Sequence, residues 1–93
     1  MSLNPPWVTC PAGSWTRIYN GLNWFGVLDI FARDLALHPI SYRYYSAAAP
    51  YWGFGDIVVP TMPMGMTRIL FAPTPGIEFF INPSSPSTDF RAL

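Results

Sequence analysis

An all-β fold is what this sequence predicts: a small antiparallel β-sandwich, or an open barrel, of about six strands. Three observations carry the prediction. Eleven prolines and seven glycines cut the 93-residue chain into short pieces, and proline breaks helix interiors. The pieces are rich in β-branched and aromatic residues, which suit a pleated surface. Turn signals recur at roughly ten-residue spacing, as in sandwiches and small barrels.

The elements follow in order. MSLNPPWVTCPAG, 1–13, reads as an extended N-terminal arm, because Pro5, Pro6 and Pro11 favour polyproline or edge geometry. SWTRIYN, 14–20, reads as a strand with Trp15, Arg17 and Tyr19 on one face. Residues 23–39 admit two readings. A helix capped by Asn23 would align Trp24, Leu28, Phe31 and Leu35 and pair Asp29 with Arg33. A strand over 25–33 buried on both faces is favoured, because Gly26 costs a helix about 1 kcal/mol and the neighbouring segments are strand-like. DLALHP then connects to the next strand.

PISYRYYSA, 39–47, is the clearest strand. It places Ile40, Tyr42 and Tyr44 on one face and Ser41, Arg43 and Tyr45 on the other. Residues 48–55, small and glycine-rich, read as a loop carrying Tyr51, Trp52 and Phe54. DIVVP at 56–60, MTRILFA at 66–72 and IEFFIN at 77–82 read as strands. The last puts Ile77, Phe79 and Ile81 inward. TMPMG at 61–65 and PTPG at 73–76 read as turns. Residues 84–93 form a Pro/Ser-rich C-terminal tail, so the sandwich domain is expected over 14–83.

Composition bounds the function. Hydrophobic residues make up 51% and charged residues 11%, under half the usual charged share of about 25%. The five cations are all arginine and balance five acids, with no cluster of either sign. A nucleic-acid partner is therefore not expected, since phosphate binding needs clustered cations. Arginine without lysine, with 17% aromatics, matches the composition of protein interfaces, although a GC-rich genome also favours arginine codons. No apolar run approaches the roughly 20 residues of a membrane-spanning helix. MSLNPPW lacks the basic region and apolar core of a signal peptide. The single cysteine, Cys10, excludes an intrachain disulfide.

Catalytic and metal chemistry find few residues. One histidine, His38, and one cysteine cannot build a closed zinc site. There is no nucleophile elbow, phosphate loop or calcium loop. Asp29 and Glu78 could meet across a sheet, but nothing marks them as a glycosidase pair. No catalytic residue, cofactor or metal is expected.

Six strands point roughly 18 side chains inward, against about 47 hydrophobic residues in the chain. The surplus suggests a second surface buried against another chain. Candidate interface residues are Trp7, Tyr45, Tyr51, Trp52, Phe54, Phe80, Phe90 and Leu93. The expected function is a non-enzymatic structural subunit of a multimeric assembly. A virion component is the first example: a bacteriophage capsid-decorating (cement), tail or spike protein. Its partners would be copies of itself or a larger shell or tail protein, its place would then be the virion, and the arm and tail would clamp neighbours. The alternative is a carbohydrate- or receptor-binding sandwich whose Tyr51–Trp52 loop stacks on a glycan.

Overall fold

The computed structural model describes residues 6–34, 37–47, 51–59, 66–84 and 88–93, with the side chains of Tyr51 and Trp52 outside that description. The described residues form eight strands: β1 (Val8–Cys10), β2 (Thr16–Asn23), β3 (Val27–Ala32), β4 (His38–Ser46), β5 (Tyr51–Val59), β6 (Met66–Leu70), β7 (Thr74–Pro83) and β8 (Thr88–Ala92). They build two four-stranded antiparallel sheets, ordered β1-β8-β3-β6 and β2-β7-β4-β5. The sheets pack face to face as a sandwich and do not close into a barrel. No helix long and apolar enough to cross a membrane occurs among the described residues.

The core comes from alternation. Leu28, Ile30 and Ala32 point inward from β3, Ile77, Phe79 and Ile81 from β7, and Phe90 and Ala92 from β8. Ile18, Ile40, Val59, Ile69 and Cys10 complete it. Burying each large aliphatic or aromatic side chain contributes roughly 1.5–3 kcal/mol.

The aromatic run of β4 is half core. Tyr42 and Tyr44 stack on Phe79 with ring centroids 5.4 and 6.2 Å apart, and Tyr44 meets Phe71 at 5.4 Å. Their cross-strand partners on β5 are Gly55 and Gly53. A Cβ on Gly53 would lie 2.7 Å from the Tyr44 ring, and one on Gly55 2.7 Å from the Tyr42 hydroxyl. The tyrosines thus cover the space the glycines leave, the pairing known to rescue glycine in sheets.

Six expected strands became eight because the ends of the chain also pair. Val8–Cys10, within the expected arm, pairs with Thr88–Ala92, within the expected tail. Phe90 is consequently no anchor on a neighbour: alternation in β8 turns it into this chain's own core, with no exposed surface. The β2 strand runs to Asn23, and a bulge between Arg17 and Tyr19 breaks its alternation. Arg17 faces solvent while Ile18 is buried and Tyr19 packs on the core, so Arg17 and Tyr19 do not share a face. A bulge opposes two residues to one and re-aims the side chains that follow.

Residues 23–33 are a hairpin and strand, without a helix. The Asn23 side chain bonds both the N–H and the C=O of Val27, which closes the turn. Gly26 there has φ +70°, and a Cβ on it would sit 2.4 Å from the Phe71 carbonyl; a left-handed residue in that space has to be glycine. Of the expected loop at 48–55, residues 51–55 are instead the first half of β5, since its glycines are filled by tyrosines, and 48–50 lie outside the described residues. The expected PTPG turn is largely the start of β7, where the buried Thr74 hydroxyl accepts a hydrogen bond from Ser46 (3.0 Å) and donates to the Gly76 carbonyl (2.8 Å). The TMPMG turn lies outside the described residues.

His38 does not sit in a loop. It opens β4 fully buried, its ring edge-on to Phe90 at 5.3 Å and its Nε2 hydrogen-bonded to Asp34. Asp34 also accepts from the Thr88 hydroxyl, at 3.1 Å. The pair ties the β3–β4 connection to β8.

Candidate functional site

Side chains left over by the core gather on two surfaces. The first is the outer face of the β2-β7-β4-β5 sheet. Alternation in β4 sends Ser41, Arg43 and Tyr45 outward, and register places Arg43 between Phe80 on β7 and Phe54 on β5. The Arg43 guanidinium lies 4.3 Å from the Trp15 ring centroid and 5.7 Å from that of Phe80. A cation so placed over aromatic faces contributes roughly 0.5–2 kcal/mol. Tyr45 stands edge-on to Phe80 at 6.1 Å. Ser41 donates to Asp56 at 2.7 Å, and Arg17 pairs with Glu78 at 3.1 Å. Trp15, Ser41, Arg43, Phe54 and Asp56 line an open groove of about 330 Å³. Phe54 is 72% exposed.

The second surface is one end of the sandwich, where the β2–β3 and β6–β7 connections meet. Phe25, at the hairpin tip, is 92% exposed, and Leu70 is 75% exposed. Leu22, Trp24 and Leu93 are exposed beside them. A shallow cavity of about 350 Å³ runs between Tyr19, Leu22, Trp24, Phe25, Val27 and Leu93. The segments 18–28 and 69–77 at this end contain no Asp, Glu, Arg or His, and the Asp29–Arg68 ion pair borders it, Asp29 being bonded through its backbone to Leu93. The opposite end carries Arg33, Asp34, His38 and Asp89.

The expected interface residues divide accordingly. Tyr45, Phe54 and Phe80 come together on the outer sheet face. Tyr51 and Trp52 continue the β5 strand, their side chains outside the described residues. Leu93 lies at the apolar end. Trp7 is covered by its own chain: Arg91 lies 4.3 Å and Arg33 5.9 Å from its ring centroid, and Arg33 is held by Asp89 at 3.1 Å. Trp15, Leu22, Trp24 and Phe25 were missed. The uncharged LNWFG run is a readable signal for an exposed hairpin tip, but the favoured strand over 25–33 leaves Trp24 outside and takes Phe25 into a strand buried on both faces.

Asp29 and Glu78 do not meet: Asp29 grips Arg68 across β3 and β6 with contacts of 2.7 and 3.0 Å, and Glu78 holds Arg17 on the other sheet. The hydrogen bonds to Asp29, then its charge, raise the Arg68 guanidinium above its ordinary range. Burial pushes the Cys10 thiol up to about 11. Among the described residues, no three His, Cys, Asp or Glu side chains gather in a way that could hold a metal ion. The chain matches no protein-family model, no curated protein and no solved structure.

Proposed function

We propose that the chain is a non-enzymatic structural subunit that assembles with other protein subunits through exposed aromatic and aliphatic surfaces. The observation that carries this reading is the apolar end built from Leu22, Trp24, Phe25, Leu70 and Leu93. Contiguous exposed apolar patches mark contact sites, and each such side chain placed in a partner's pocket contributes roughly 1.5–3 kcal/mol. The narrower reading, a virion component such as a capsid-decorating or tail protein, rests on composition: no lysine, few charges, many aromatics.

The test is light scattering of the purified chain across a concentration series, beside the double variant Trp24→Ser/Phe25→Ser. The reading expects association of the wild type and its reduction in the variant, with an unchanged circular-dichroism spectrum. A wild type that is monomeric at every concentration would remove it.

A second reading is favoured by the groove on the outer sheet face. Trp15 and Phe54 offer apolar ring faces, and Ser41, Asp56 and Arg43 offer polar groups beside them, the combination that suits a sugar ring. If a glycan binds there, oligosaccharide titration will change tryptophan fluorescence, and Trp15→Ala will abolish the response without altering assembly. A panel of oligosaccharides that leaves the fluorescence unmoved counts against this reading.

A further inference from the structure

Among the described residues the two sheets have four edge strands, and they are not alike. The β1 edge is three residues long and is followed by Pro11. The β6 edge is five residues long and carries Arg68. The β2 edge is broken twice by register shifts and carries Arg17. Short length, bulges and charge are the devices that stop an edge from pairing with another chain. The β5 edge has Pro50 and Pro60 at its two ends and Asp56 in its middle, but it is the longest of the four edges and has no bulge. It is nine residues long, contains no proline, and pairs with β4 in unbroken register along its whole length. Asp56 is its one charge.

We infer that β5 is a pairing edge, and that its partner is β5 of a second copy of this chain, running antiparallel about a two-fold axis at Gly55. This rests on the assembly reading above and names its partner. The sequence YWGFGDIVV is suited to pairing with itself. Centred on Gly55, the register overlaps all nine residues and sets Asp56 opposite Phe54 of the second copy, Trp52 opposite Val58 and Gly53 opposite Ile57. Centring one residue later would bring the two Asp56 carboxylates face to face, which a sheet disfavours. The joined sheet would run β2-β7-β4-β5-β5-β4-β7-β2, an isologous two-fold contact built on main-chain hydrogen bonds. The outer-face row of Phe54 and Val58 would continue across the joint.

The test is sedimentation equilibrium of the wild type, Val58→Lys and Asp56→Asn, with circular dichroism to confirm folding. Val58 is half exposed on the outer face, so the lysine leaves the core intact. It should weaken the dimer at least about tenfold, because an edge lysine is a natural block to pairing. Asp56→Asn should tighten it several-fold at low salt, because the two carboxylates lie on the diagonal about 7–8 Å apart. That gain should shrink above about 0.5 M salt, as screening grows. Amide hydrogen exchange supplies a second readout: protection of 51–59 should rise with wild-type concentration and not in Val58→Lys. Trp24→Ser/Phe25→Ser should leave this dimer intact and remove only larger species, which separates failure of the edge from failure of the apolar end. A wild-type dimer indifferent to Val58→Lys, or β5 amides equally protected in a monomer, would overturn the inference.

Discussion

The two faces of the β4–β5 hairpin are made from the same aromatic-rich stretch and do opposite things. On the inner face, Tyr42 and Tyr44 lie over Gly55 and Gly53 and stack on Phe79. On the outer face, Arg43, Tyr45 and Phe54 build a surface around Trp15 and Phe80 that the core does not need. Strand alternation sorts neighbouring residues into two jobs, so composition alone could not separate them. Packing makes the inner face intolerant of change, and exposure makes the outer face tolerant.

The largest effect expected from breaking this contrast is on the inner face. Phe79→Ala should cost about 3–5 kcal/mol in urea unfolding, because it removes the ring on which both tyrosines stack and leaves a cavity. The Cys10 thiol comes next and shows in pH. Its folded pKa of about 11 exceeds the ordinary 9.0, so the unfolded chain gives up the proton first. Its contribution is whole below pH 9, falls as the pH climbs through 11, and amounts to roughly 2–3 kcal/mol for a shift of that size. Subtracting the unfolding free energy of Cys10→Ala from that of wild type across pH 8–12 isolates it from the tyrosines.

Gly53→Ala should follow, at about 1–3 kcal/mol, since the Tyr44 ring that the new methyl meets is pinned by Phe79 and Phe71. In a Tyr44→Leu background the penalty should shrink, and a double-mutant cycle measures that coupling. The smallest effect belongs to the outer face. Phe54→Ser should change stability by no more than about 0.5 kcal/mol while altering association. An outer-face substitution that cost as much as Phe79→Ala would erase the contrast.

Much of this was legible in the sequence. The inward set Ile77, Phe79 and Ile81 and the split of Tyr42 and Tyr44 from Arg43 and Tyr45 follow from period-two alternation, and the structure has both. The failures share a physical cause: the deciding information is non-local. Gly53 and Gly55 look like loop residues until the tyrosines that cover them are placed opposite. Phe90 looks like a tail anchor until β1 pairs with β8. The β2 bulge has no local signature, so Tyr19 was grouped on one face with Arg17. On the candidate surfaces, Tyr45, Phe54 and Phe80 face outward, as period-two alternation places residues beyond the core's demand. Trp24 and Phe25 were missed because an apolar run reads equally as the start of a buried strand and as a hairpin tip.

The most direct test of the assembly reading is multi-angle light scattering over a concentration series, comparing wild type with Trp24→Ser/Phe25→Ser. The expected result is a wild type whose mass rises with concentration and a folded double variant whose mass stops at a smaller species. A wild type and variant that both stay monomeric at the highest concentration would contradict the claim that the apolar end is an assembly surface.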